Sequence, residues 1–302
     1  MDHTRKLLPG QVSRVHIGYA DDRPSTVVFE TDEILIEAPN WTLDGTRLIV
    51  NGNGLLWSLP IDPTASLVEI PLDDVPPLNN DHVLAPDGEY IYVSANDWHI
   101  YQASLNGGPV RRITNAGEPQ RLHFLHGVSP DGSTLAYIGL DPQGDDMWAS
   151  GNVFTIPAAG GQDTQLTFGS RPADGSEYSP DGESIYFNTE AFGSTSGHAQ
   201  IARMSVDGSD VEQLTFDENV NWFPHISPDG RSAVYIAFPP GTQGHPENKW
   251  VEVKLVSDGR WLKPRTVERL FGGQGTVNVN SWAPDSQRFA YVSYPMAGAD
   301  AD

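Results

Sequence analysis

Short apolar runs of strand length recur along the chain, among them STLAYIG, ESIYFNTE, RSAVYIAF and QRFAYVSY, each introduced by a polar turn string. The strings are TLDG with Asp44, APDG with Asp87, SPDG with Asp131, SPDG with Asp181, SPDG with Asp229 and APDS with Asp285, and the aspartates are 43, 44, 50, 48 and 56 residues apart. A fixed period of this size marks a repeat of about one four-stranded unit. The string has a local reason to recur. Pro, where present, presets φ, Asp accepts hydrogen bonds from the backbone ahead of it, and Gly tolerates φ > 0, which together make a tight hairpin.

After most of the hairpins come a further apolar run, a turn such as LNGGP, AAGGQ or VDGSD, and a closing strand near ITNAG, LTFGS or LTFDE. One repeat therefore reads as strands A to D. The last copy supplies only A and B, while VSRVHIGYA and STVVFET precede the first turn string without one of their own. Pairing residues 12–20 and 25–31 with residues 288–294 would complete the sixth sheet and leave no open edge. The expected fold is all-β: one six-bladed β-propeller over residues 1–302.

Composition narrows the function classes. The 302 residues hold 40 acidic against 18 basic side chains, a net charge of −22, and that field repels nucleic acid and anionic membranes. There is no Cys, which removes disulfides and thiolate metal sites. MDHTRKLLPGQ lacks the apolar core of an export signal, and no run of apolar residues is long enough to span a bilayer, so a cytoplasmic location is expected.

Chain direction places candidate chemistry. In a propeller the A–B hairpins lie at the bottom of the central channel, and the B–C and D–A connections at the top. The long loops EAFGSTSGHAQ and PPGTQGHPENK, with His198 and His245, are then upper loops, the usual carriers of binding residues. The innermost strands offer Asn40, His82, His126, Glu177, His225 and Asn280 just before their turn strings. His126, Glu177 and His225 are expected to act as acid/base groups, or to hold manganese or zinc. Asn40, His82, Gln274 and Asn280 would contact a ligand, and Trp222 would offer an apolar platform to a sugar face. Register runs against full convergence. Glu177 and His225 precede the serine of their strings by two residues, but His82 and His126 stand three before the corresponding Ala85 and Ser129, so a bulge, or a tilt near the axis, is needed to bring them together. His123 reads as an interblade or loop residue, Asp174 as a possible carboxylate partner of Glu177, and the adjacent Asp145 and Asp146 as solvated loop charge. No nucleophile elbow or phosphate loop is present.

HGVSPDGSTLAYIG, EYSPDGESIYFN, EQLTFDENVNWFPHISPDG and LFGGQGTVNVNSWAPDSQRFAYVSY resemble the WD-like repeats of the TolB-like β-propeller family over essentially the whole chain. A more distant likeness is to oligogalacturonate lyases, cytoplasmic propellers with a channel manganese site built from histidines and a glutamine. His225 and Gln274 match that pattern, but Asn278 and Asn280 stand where the lyases have histidines. The resemblance implies a propeller whose channel binds a small polar or saccharide ligand, with lyase- or hydrolase-type chemistry if it is an enzyme. The competing expectation is a non-catalytic scaffold that binds a protein through its upper loops.

Overall fold

The computed structural model describes residues 4–62, 64, 66–115, 121–142 and 151–296; Asp145 and Asp146 lie outside them. Among the described residues there are strands and turns and no helix. The first five blades are four-stranded antiparallel sheets whose innermost strands are Glu37–Trp41, Leu78–Leu84, Leu122–Val128, Ala173–Tyr178 and Val220–Ile226. The sixth joins the two ends of the chain. Arg288–Ser293 pairs with Ser13–Tyr19 from Arg14↔Ser293 to Tyr19↔Arg288, and Ser13–Tyr19 pairs in turn with Thr26–Thr31. The innermost segment of that blade is held to Arg288–Ser293 by a single bridge, Trp282↔Phe289. The expected six blades and their closure are both present.

Each turn string works as its composition requires. In the third blade Asp131 Oδ1 accepts the Ser129 hydroxyl at 2.6 Å and the Ser133 N–H at 3.0 Å, while Gly132 takes φ +73°. In the last copy Ser286 occupies the glycine position at φ +56°, and its hydroxyl accepts the N–H of Asp229 in the neighbouring turn at 3.1 Å. A contact between adjacent blades thus offsets a strained backbone.

The core lies between blades and not within them. Six apolar clusters are present, one at each junction of neighbouring sheets. The cluster of Val15, Ile17, Leu48, Val50, Ala290 and Val292 closes the ring between the sixth and first blades. No blade can bury its faces alone, so the array is stable only as a set.

Every innermost strand with a ladder carries a register shift, between Glu37 and Asn40, Leu78 and His82, Leu125 and Gly127, Asp174 and Glu177, and Trp222 and His225. In three blades the residue six before the turn aspartate, Ala38, Gly175 or Phe223, has positive φ. This extra residue re-aims everything above it.

Candidate functional site

Above the bulges the inner strands open into a cavity of about 950 Å³ at the upper mouth of the channel. The residue seven positions before the turn aspartate enters its wall in all six blades: Glu37, Asn80, Phe124, Asp174, Trp222 and Asn278. Both long loops border it, through Ser196 on one side and His245 on the other, and Gln243 Nε2 donates to Ser196 O at 3.3 Å to join them. None of the turn aspartates lines it.

Asp174 stands at the centre of the polar wall. Its Oδ1 accepts from His126 Nε2 at 2.9 Å, and its Oδ2 lies 3.7 Å from His245 Nε2. Burial alone would lower the basicity of His126, but the hydrogen bond and charge of Asp174, with Asp81 nearby, outweigh it and hold the imidazole above its usual pKa. Asp174 is moved the other way. Burial would raise it, yet His126, the His245 side chain and the Gly175 N–H bring it below the ordinary carboxylate range. Burial dominates at His245 and lowers its pKa, leaving it neutral. Asp81, also in the wall, is pushed up to about 7, chiefly by burial and further by the negative charges of Asp174 and Glu37. Two neighbouring carboxyl groups are therefore held in different protonation states near neutrality, the usual arrangement of an acid and a base.

From His245 a chain of side chains crosses the cavity. His245 Nδ1 bonds Gln274 Oε1, Gln274 Nε2 donates to Asn80 Oδ1 at 3.2 Å, and Asn80 Nδ2 donates to Glu37 Oε1 at 3.1 Å. Glu37 ends the chain in an ion pair with Arg5, which also pairs with Glu247 and donates to the Gln274 carbonyl at 2.7 Å. Gly275 is required at this junction: a Cβ there would lie 2.4 Å from the Tyr294 hydroxyl and 2.6 Å from Glu37 Oε1. The amide of Gln274 fixes the His245 tautomer, with the proton on Nδ1 and a bare Nε2 towards Asp174.

Of the residues expected from the sequence, His126, Trp222 and Gln274 reach the wall. Glu177 and His225 meet each other, at 2.6 Å, below the bulge and outside the cavity lining. Glu177 Oε1 also accepts from the Ile226 N–H and from Asn280 Nδ2, both at 2.8 Å. Asn40 does the same at the first blade, accepting the Leu84 N–H at 3.0 Å and donating to Asn280 O at 2.6 Å. These four residues stitch neighbouring blades together. His82 is buried away from the cavity, with its pKa lowered to about 4 by burial. His123 bonds the Trp98 carbonyl of the preceding blade at 2.8 Å, and His198 approaches Asp217 O at 3.1 Å. Asp174 pairs with His126 instead of Glu177.

The same geometry decides how well these residues suit a metal. His225 Nδ1 is engaged by Glu177, His126 Nε2 by Asp174 and His245 Nδ1 by Gln274. Among the described residues no group of three or more His, Cys, Asp or Glu side chains is placed to hold an ion. The donor set does not fit the manganese or zinc expected from the sequence.

Six repeat-built blades with a polar and aromatic upper mouth define a small β-propeller assembled from PDG-type turns. The comparisons with known proteins agree with that class. Residues 128–259 match the TolB beta propeller domain model, PD40. An uncharacterized protein of Agrobacterium fabrum is 37% identical over 289 residues, covering 93% of this chain and 92% of that protein. A TolB-type structure from Agrobacterium tumefaciens superposes with a TM-score of 0.83 at 35% identity, over 94% of this chain and 99% of that one. The chain belongs to the TolB-like β-propeller family. An oligogalacturonate lyase in complex with manganese shares the fold at a TM-score of 0.56 and 11% identity, over 88% of this chain and 75% of that one.

Proposed function

We propose that the upper cavity binds a small polyhydroxylated ligand of saccharide type. The observation that carries this reading is Asp174 held between two imidazoles in a wall that also presents Trp222, Gln274 and Asn80. Carboxylate, amide and imidazole groups match hydroxyls that both donate and accept, while the faces of Trp222 and Phe124 suit the C–H face of a sugar ring. The distant likeness to a lyase of oligogalacturonate supports the same ligand class.

If the bound ligand is also transformed, Asp174 and Asp81 are the groups that would move protons. His126 orients Asp174 and stabilises its charge. Titration calorimetry of the full chain against mono- and oligosaccharides tests the binding. Trp222→Ala and Asp174→Ala should each weaken it by about tenfold or more, the scale of one lost stacking contact or charged hydrogen bond. Unchanged affinity in both variants would remove the cavity from consideration.

A protein scaffold is the second reading, favoured by Phe168 and Phe216. They occupy matching positions in the LTF strings of the third and fourth blades and are 78% and 64% exposed. Paired exposed aromatics of this kind are typical interface anchors.

A further inference from the structure

The described wall of the cavity holds more carboxyl groups than guanidiniums. Among the described residues it carries four carboxyl groups, Glu37, Asp81, Asp174 and Glu190, with Asp81 protonated below about pH 7, against two guanidiniums, the His126 imidazole and no lysine. Arg5 is shared between Glu37 and Glu247, so it adds no free positive charge. Arg171 donates to the Ser194 carbonyl at 3.1 Å. Among the described residues Glu190 receives the Gly197 N–H, at 2.8 Å, and no Lys or Arg pairs with Asp81 or Asp174.

The hydrogen-bond directions say more. With its proton fixed on Nδ1 by Gln274, the neutral His245 turns a lone pair on Nε2 towards Asp174 Oδ2, 3.7 Å away. Two acceptors face each other with no proton between them, an arrangement that costs free energy until a donor enters. Beside them stands Trp222, its ring 4.5 Å from that of His245, with an indole N–H that finds no acceptor among the described residues although the residue is only 6% exposed. An ammonium group supplies several donors and positive charge to the first feature, and aromatic faces favour it further. A hydroxyl oxygen supplies the acceptor for the second.

We infer that the ligand carries a protonated amine together with hydroxyl groups, as an amino sugar does, and that Asp174 and His245 receive the amine while Trp222 receives a hydroxyl. The inference rests on the saccharide reading above and narrows it to a cationic class, opposite in charge to a uronate. Among the described wall residues Arg171 is the guanidinium not already paired with a carboxylate, and the one that would favour an anion.

Calorimetry on the unmodified protein at mildly acidic pH, with glucosamine, glucose and galacturonate as probes, separates the possibilities without any variant. Glucosamine should bind at least about tenfold more tightly than glucose, and galacturonate more weakly than either. Asp174→Asn should lower glucosamine affinity more than glucose affinity, so that the preference for glucosamine over glucose falls by about tenfold, with the thermal transition recorded to confirm folding. Glucose matching glucosamine, or galacturonate exceeding it, overturns the cationic assignment and leaves the saccharide reading standing. If none of the three binds, the saccharide reading falls and this inference falls with it.

Discussion

Glu177 shows how a buried acid with a histidine beside it can be structural. Its two oxygens accept from an imidazole, a backbone N–H and an amide, and each partner belongs to the next blade or the one after it. Glu177→Ala would leave those donors buried without an acceptor, at a cost of about 3–5 kcal/mol. Urea unfolding should show that loss, while ligand affinity of the folded fraction stays the same. Asp81 should respond in the opposite sense. Its pKa of about 7 in the folded protein exceeds the ordinary 3.8, so the folded state holds a proton that the unfolded state has released. Stability from this group is full below pH 3.8 and falls as pH rises towards 7. Asp81→Asn should therefore gain up to about 4 kcal/mol at neutral pH and nothing below the carboxylate range. Unfolding free energies of the two proteins across that pH window check the sign.

The bulged inner strand is the element that turns a repeat into a site. It separates two levels: residues four before the turn aspartate, such as Asn40 and Glu177, bond between blades, while those seven before it face the cavity. Gly175 shows how closely the bend is packed. At φ +68° an added Cβ would lie 2.9 Å from Asn188 Oδ1, which accepts the Phe223 N–H of the next blade at 3.1 Å. Gly175→Ala should cost about 2 kcal/mol and, by displacing Asp174, weaken ligand binding as well. A variant that melts like the parent would show the bend to be pliable. The turn strings made the blade count readable because Pro, Asp and Gly impose local geometry. The conflict of register called for a bulge without locating it, since Ala38 and Phe223 give no hint in their chemistry of a left-handed backbone. Counting from the turn through an unseen extra residue therefore reached Glu177 and His225, whereas Asp174, three positions earlier, lines the cavity. Loop length put His245 among the upper loops without showing that it reaches the wall, and Arg5 is brought there by a long-range ion pair that no periodicity reveals.

At the scale of the whole molecule, stability depends on the seam. Six interblade clusters share the core, and removing one sheet's outer strands exposes apolar surface on both sides of the gap. A chain lacking residues 1–20 should lose the pairing along Arg288–Ser293 and the apolar cluster beside it. Such a protein is expected to melt well below the full chain and to self-associate through its open edge, as calorimetry and light scattering would record.

The geometry of that seam also sets how the ring answers to force. Ser13–Tyr19 and Arg288–Ser293 run antiparallel, with Arg14 beside Ser293, and beyond them Gln11 bridges Met296. Gln11 and Met296 therefore leave the seam side by side. A pull applied through both would peel the pair apart one hydrogen bond at a time from that end, instead of shearing all of them at once. A load carried across opposite blades would meet several closed sheets in parallel. The ring that resists heat as one body is thus mechanically weakest along its own seam.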